Sequence, residues 1–229
     1  HGQNVWLLKP RGRAYVKSDG STGFDFSEMD KHIEFLLANA DVRCIEADHI
    51  GKRSNNGWTD PFLTSVPIEA YFSALQEHLK SRHLPDGRTW LDIWLQHIAD
   101  EPIPENLKSW ESLATRVKKA APEMKIIEAY RSPENKPELI DVLVPQLDEI
   151  MQDGFRHIDK GQQCWFYTCM YPRGRFANRY VTQPLVKTRL LHWINFRFSL
   201  PGYLHWGFNY WGENGDPFGD VSAPLNDWP

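Results

Sequence analysis

Apolar and polar positions along the chain follow two alternating periods, which predict strands separated by helices. Short apolar runs predict the strands, and the best defined run is Thr89–Ala99 (TWLDIWLQHIA). The other predicted strands are Val5–Leu8 with Ala14–Val16, Val42–Ile45, Met124–Tyr130, Asp141–Val144, Cys164–Cys169 and Gly202–Phe208. Helical periodicity lies between most of them, beginning near Ser27, Ile68, Leu107, Leu147 and Pro184. The segment Gly51–Asp60 is predicted to be a long polar loop.

This alternation predicts an α/β fold in which parallel strands are joined by right-handed helical crossovers. Two architectures are compatible with six or seven such strands, an open doubly wound sheet and a (β/α)8 TIM-like barrel. A dinucleotide-binding sheet has a glycine-rich turn after its first strand, and the sequence has none. We therefore expect a barrel that is incomplete at one or both ends, because the first βα unit is indistinct and residues 212–229 are aperiodic. Residues 1–229 are expected to form a single barrel domain, a fragment of a longer protein.

Composition and charge narrow the classes of function. The net charge of −4 gives no sign of binding to nucleic acid or to an anionic membrane surface. No apolar stretch is long enough to span a membrane, and no signal peptide opens the chain. Cys44, Cys164 and Cys169 fit neither a disulfide framework nor a zinc spacing, so we expect buried free thiols.

The active site of a βα barrel lies at the carboxyl ends of its strands. Topology alone therefore gives a set of candidate residues, those that follow each predicted strand. They are His49, Asp100, Glu101, Tyr130, Arg131, Gln146, Tyr167, Tyr171, Trp206, Asn209 and Trp211.

The adjacent acids Asp100 and Glu101 carry the strongest chemical signal. Cleavage of a glycosidic bond needs an acid for the leaving oxygen and a second group that stabilises a positively charged transition state. Neighbouring residues leaving a strand point in different directions, which disfavours two carboxylates that face each other across a sugar. The pair instead suits substrate-assisted cleavage, in which the 2-acetamido oxygen of the sugar is the nucleophile. The alternative is that both acids cap the helix that follows.

A metal site is a competing interpretation. The histidines His49, His97, His192 and His205 could build such a site with Asp48, Asp92 or Asp100. No two histidines have the spacing H-x-x-x-H or H-x-H, so we expect no metal.

Several motifs in the second half of the chain resemble the catalytic domain of glycoside hydrolase family 123. These motifs are Trp165-Phe-Tyr-Thr-Cys169, Tyr171-Pro172, Asn178-Arg179-Tyr180, Pro184-Leu185, Arg189, Trp193, Gly202-Tyr-Leu-His-Trp206 and Asn209-Tyr-Trp211. The Ile98-Ala-Asp-Glu-Pro102 segment is similar to the acid pair of that family, and Pro122–Ile126 and Asp141–Pro145 match the strands after it. The resemblance covers most of the chain, from about Phe24 to Trp211.

The resemblance implies a retaining β-N-acetylgalactosaminidase that works through an oxazolinium intermediate. In that scheme Asp100 orients the acetamido group, and Glu101 is first the general acid and then the base. The residues expected to bind the carbohydrate substrate are His49, Tyr130, Arg131, Tyr167, Tyr171, Trp206, Asn209 and Trp211. The resemblance also implies that no metal or organic cofactor is needed and that the location is secreted or periplasmic. It leaves the oligomeric state open. The alternatives are a non-catalytic carbohydrate-binding barrel and a piece of an enzyme that is inactive without a missing segment.

Overall fold

A computed structural model describes most of the chain, namely residues 3–9, 11–54, 57–61, 67–131, 136–152, 162–180 and 182–205. The strands are β1 (Val5–Leu8), β2 (Arg13–Val16), β3 (Thr22–Asp25), β4 (Cys44–Ala47), β5 (Gly51–Ser54), β6 (Gly57–Pro61), β7 (Trp94–Gln96), β8 (Lys125–Ala129), β9 (Val142–Val144), β10 (Gln163–Cys164), β11 (Phe166–Thr168) and β12 (Tyr203–His205). The α-helices are α1 (Ser27–Asn39), α2 (Ile68–Ser81), α3 (Leu107–Ala120), α4 (Leu147–Gln152) and α5 (Leu185–Phe198). None of the helices among the described residues is both long and apolar enough to cross a bilayer.

Six strands form one parallel sheet in the order β1-β4-β7-β8-β9-β10. The strands β11 and β12 form a second parallel pair, and the isolated bridge Gln146↔Tyr167 connects this pair to the chain beyond β9. The spatial order of these strands therefore follows the order of the chain. A doubly wound sheet contains a point where the order reverses, and no such point occurs among the described strands.

The two faces of the parallel strands are covered differently. Side chains at alternate positions, such as Ile45, Ile126 and Leu143, join the large hydrophobic cluster that includes the buried faces of α1, α2 and α3. Phe166 joins a smaller cluster with residues of α4 and α5. The intervening positions form a third group, which we call the interior cluster. It consists of Leu95, Ile127, Val142, Val144, Trp165 and Tyr167 with Val5, Cys44, Ala129, Cys169 and Leu204 packed against them.

The best defined strand of the sequence is much shorter than predicted. Residues Trp90–Ile93 form a 3₁₀ helix, and only Trp94–Gln96 are extended. The cause is a capping box, because Asp92 Oδ2 accepts hydrogen bonds from the Thr89 amide at 2.6 Å and the Thr89 hydroxyl at 2.8 Å. The prediction of a strand over the whole of Thr89–Ala99 was therefore wrong, although the apolar pattern identified the buried segment correctly.

Two hairpins lie outside the parallel sheet, one formed by β2 with β3 and one by β5 with β6. The second hairpin replaces the predicted loop over Gly51–Asp60. The prediction failed there because the segment lacks the alternation of apolar and polar residues that marks a half-buried strand. The three cysteines are free, as expected, but only Cys164 is buried and the other two are half-buried.

Candidate active site

The acid pair lies in a turn that follows β7, and we call residues 98–101 the acid turn. The helix α3 begins only at Leu107, and Asn106 is its N-cap residue. Asp100 and Glu101 therefore do not occupy the capping positions of that helix, and the capping interpretation was wrong. Glu101 has a left-handed backbone conformation with φ of 47°, which is uncommon for a residue with a side chain.

The two carboxylates of the acid turn contact groups on different strands. Asp100 Oδ1 lies 4.0 Å from Nε2 of His49, which follows β4. Glu101 accepts a short hydrogen bond from the hydroxyl of Tyr167 on β11. The same hydroxyl lies 3.3 Å from Oε1 of Gln146, the residue that follows β9 after Pro145. The structure thus brings together five of the residues that topology selected.

Tyr167 is a neutral hydrogen-bond donor in this site. Its burial raises the pKa of the hydroxyl well above the usual range, and the negative charge of Glu101 raises it further. A phenol has a single proton to donate. The contact with Glu101 is much the shorter of its two contacts, so this proton is donated to the Glu101 carboxyl group.

Polar contacts with Asp48 and Arg11 hold His49 in position. Its Nδ1 lies 3.7 Å from Asp48 Oδ1, and Asp48 Oδ2 lies 3.3 Å from Nη2 of Arg11. Arg11 also donates a hydrogen bond to the backbone carbonyl of His49. The side chain of His49 lowers the pKa of Asp48, and the Arg11 charge adds to this against the opposing effect of burial. Asp48 is therefore a carboxylate that keeps the ring of His49 beside Asp100.

A second polar group consists of His97, Glu46 and Glu128, and Glu128 contacts the backbone of the acid turn. His97 donates from Nε2 to Glu46 in a short contact and from Nδ1 to Glu128 over 3.0 Å. His97 is 4% exposed and Glu128 is completely buried. Burial alone lowers the pKa of His97, but the charge of Glu46 and hydrogen bonds to Glu128 and Glu46 outweigh it and raise this pKa to about 10. The ring is therefore an imidazolium between two carboxylates.

The ligand atoms of His49, His97 and Glu128 lie within 4.8 Å of one another, close enough to surround a metal ion. A metal ligand must offer a free lone pair, as a neutral imidazole or an available carboxylate oxygen. Both nitrogens of His97 are already bonded to carboxylates, and both oxygens of Glu128 accept hydrogen bonds. We therefore interpret these residues as a hydrogen-bonded network.

Of the other predicted binding residues, Tyr130 is buried, whereas Arg131 and Tyr171 are exposed. Tyr130 is 1% exposed and belongs to the large cluster beneath the helices. Arg131 has an exposed side chain 3.7 Å from Glu149. Tyr171 is 49% exposed, and the guanidinium of Arg173 lies 5.1 Å from the centre of its ring. The candidates Trp206, Asn209 and Trp211 lie outside the described residues, so their role stays a prediction.

Sequence reasoning did not select Glu46 and Glu128, which occupy the interiors of β4 and β8. A signal for them was present in the sequence. Each is an acid within a short apolar strand, CIEA and KIIEA, and a charge buried in a strand must be paired. His97 was considered only as a metal ligand.

Comparison with known proteins identifies the family. Residues 55–229 match the catalytic domain of glycoside hydrolase 123. No curated protein sequence matches the chain significantly. Among solved structures, 13 chains match. One is a glycoside hydrolase family 5 mannosidase from Rhizomucor miehei in complex with mannosyl-fructose, at 11% identity and a TM-score of 0.31. That match covers 67% of this chain and 52% of the mannosidase chain, so the protein spans about half of that structure.

The family match covers well over half of the chain, and it includes the acid turn and every strand from β6 onward. The chain belongs to glycoside hydrolase family 123.

Proposed function

We propose that the chain is the catalytic part of a retaining glycoside hydrolase that removes terminal β-linked N-acetylgalactosamine, or a related 2-acetamido sugar. Membership of glycoside hydrolase family 123 supports a carbohydrate substrate. The position of the acid turn after a central strand of the parallel sheet supports its assignment as the reacting site.

The divergence of the two carboxylates is the observation that carries the mechanism. Asp100 is directed towards His49, and β4 before that residue pairs directly with β7. Glu101 is directed towards Tyr167, although β8 and β9 lie between β7 and β11. In a flat sheet three strand spacings amount to about 14 Å, so the contact supports a curved sheet as well as divergent acids. Carboxylates that diverge in this way suit two separate tasks better than a facing pair.

The two tasks follow from the chemistry of the 2-acetamido group. Asp100 holds the acetamido N–H and directs the acetamido oxygen to the anomeric carbon. As that oxygen forms its bond, the glycosidic bond breaks and Glu101 gives its proton to the leaving oxygen. Water then attacks the anomeric carbon of the oxazolinium ion, and the bond from that carbon to the acetamido oxygen breaks. Glu101 takes a proton from the attacking water, and the original configuration is restored. The Tyr167 hydroxyl fixes the position of the Glu101 carboxyl group.

We also infer that the parallel strands curl into a (β/α) barrel and that the chain is a single domain. Apart from β10, each strand of the parallel set, from Val5 in β1 to Leu204 in β12, contributes a side chain to the interior cluster, and Trp165 directly after β10 does so too. A barrel interior is filled in this way by residues from strand after strand. The location that we propose, secreted or periplasmic, rests on the family resemblance and is open to test by cell fractionation.

The proposed activity is tested by the hydrolysis of an aryl β-N-acetylgalactosaminide. Asp100→Asn and Glu101→Gln should each lower kcat by about 100-fold or more, because each removes a group that acts in the transition state. Glu105→Gln, which changes an exposed acid just beyond the acid turn, is the matched control and should retain full activity. Full activity in either acid variant would show that the assignment of that residue is wrong.

A second substrate tests the role of the acetamido group. Replacing the 2-acetamido group by a hydroxyl should abolish turnover, and retained turnover would instead indicate a nucleophile of the enzyme. A binding measurement tests the non-catalytic alternative. Quenching of tryptophan fluorescence by N-acetylgalactosamine, without any hydrolysis, would favour a carbohydrate-binding barrel or a chain that needs a missing segment.

A further inference from the structure

The buried carboxylate of Glu128 collects hydrogen bonds from three different parts of the fold. Its Oε2 accepts from the amides of Ile98 and Ala99, each at 3.1 Å, and from the indole Nε1 of Trp110 at 2.9 Å. Its Oε1 accepts from His97 Nδ1 at 3.0 Å. A carboxylate has about four acceptor sites, so the burial of this charge is offset by a full set of donors.

Two of these donors are the first backbone amides of the acid turn. They belong to Ile98 and Ala99, the two residues immediately before Asp100 in the chain. The other side of the turn is also fixed, since the carbonyl of Ile98 accepts from the amides of Ile50 at 3.0 Å and Gly51 at 2.7 Å. The backbone leading into the acid pair is therefore held between β8 and the segment that joins β4 to β5.

The conformation of Glu101 makes such support necessary. A residue with a side chain rarely adopts the left-handed region, and it persists there only where the surroundings determine the backbone. Glu101 adopts φ of 47° at the end of the acid turn. The hydrogen bonds to Ile98 and Ala99 fix the backbone just before it.

A chain of charges holds Glu128 in place. His97 bridges Glu128 on β8 and Glu46 on β4, the strands on either side of β7. The imidazolium compensates both carboxylates in a region where neither has more than slight exposure. On the opposite side Trp110 connects the carboxylate to α3.

We propose that Glu128, supported by His97, is a positioning residue that fixes the acid turn and thereby sets the orientation of Asp100 and Glu101 for the reaction. This inference rests on the proposed glycosidase function. It extends that function to a carboxylate that touches no substrate and acts only through the backbone of the turn.

The first test replaces the carboxylate by Glu128→Gln. Asp141→Asn is the matched control, because Asp141 also accepts from a backbone amide, that of Ile126 at 2.7 Å, but at the opposite end of the sheet. Each variant removes one negative charge bonded to the backbone beside β8. We expect Glu128→Gln to lower kcat about 100-fold with little change in KM, since misplacement by about 1 Å has an effect of this size. The control should lower stability and leave kcat unchanged.

A second variant disturbs the turn without touching the charges. A Cβ atom at Gly51 would lie 3.1 Å from Ala99 Cβ and 3.2 Å from the Ile98 carbonyl oxygen, so Gly51→Ala presses on the acid turn from the other side. We expect a lower kcat here also. If Glu128→Gln does not fold, this variant tests whether the position of the acid turn sets kcat. A normal kcat in folded Gly51→Ala would overturn the proposal.

Hydrogen exchange supplies a measurement that does not need activity. The amides of Ile98 and Ala99 should exchange slowly in the wild-type protein and at least tenfold faster in Glu128→Gln, while those of the control remain slow. Unchanged exchange in Glu128→Gln, or faster exchange with unchanged kcat, would overturn the proposal. If the wild-type protein hydrolyses no 2-acetamido sugar, the proposed function fails, and the exchange rates alone then decide whether Glu128 anchors the turn.

Discussion

Raising the pH above 7 is expected to destabilise the folded chain through His97. This ring faces Glu46 on β4, Glu128 on β8 and the ring of His49, whose centre lies 4.5 Å away. The two carboxylates outweigh the burial and raise the pKa of His97 to about 10. In the unfolded chain the pKa of a histidine is about 6.5.

The sign and size of the effect follow from these two values. Below pH 6.5 both states hold the proton and the stabilisation by His97 is fully present. As the pH rises towards 10 the unfolded state loses the proton first, so stability falls by up to about 1.4 kcal/mol per pH unit. Between pH 7 and pH 8.5 the loss amounts to about 2 kcal/mol.

The assay is urea unfolding followed by tryptophan fluorescence, for which the chain has ten tryptophans. The wild-type protein is compared with His97→Gln, since titrating groups that do not contact His97 contribute equally to both and cancel in the difference. We expect the variant to be less stable at pH 7 by about 3–5 kcal/mol, because it leaves the buried Glu128 and the partly buried Glu46 without a counter-charge. The difference should then narrow as the pH rises. A difference that is constant from pH 7 to pH 8.5 would refute the assignment of a charged His97.

Three further experiments test other parts of the structure. Tyr167→Phe removes the hydrogen bond to Glu101 and should lower kcat/KM roughly tenfold or more at a temperature where the variant remains folded; a normal kcat/KM would contradict its positioning role. Gly202→Ala places a methyl group into the ring of Trp165 and should reduce the free energy of unfolding by about 1–3 kcal/mol, measured with urea. Burial raises the pKa of Cys164 to about 12, so this thiol should resist iodoacetamide at pH 8 until the chain is unfolded, as peptide mass mapping would show.

The order of the main elements could be predicted from the sequence, because the periods of burial differ between strands and helices. The parallel strands β4, β8 and β9 lie close to their predicted positions. The errors arose where a local contact decides the backbone. The capping box of Thr89 and Asp92 turned half of an apolar run into a 3₁₀ helix, and the hairpin after Gly51 has no apolar alternation to reveal it.

The site was predictable only to the extent that it depends on topology. Placing candidates after the strands found Asp100, Glu101, His49 and Tyr167, which the structure brings into contact across the sheet. The same rule placed Tyr130 in the site, whereas strand alternation directs it into the large cluster. The acid within the apolar run KIIEA indicates that Glu128 is paired, but its partners Ile98 and Ala99 lie about thirty positions away, and no local pattern identifies them.

The indole of Trp110 connects the helix α3 to the acid turn through Glu128. Trp110 is fully buried in α3 and donates to the carboxylate that holds the acid turn. A substitution that shifts α3 along the sheet, for example at Leu113 or Val117, therefore changes the reach of that donor. Variants selected for better packing of this helix would then differ in turnover rate as well as in melting temperature. Engineering of α3 for thermal stability needs kinetic screening, even though the helix lies behind the sheet.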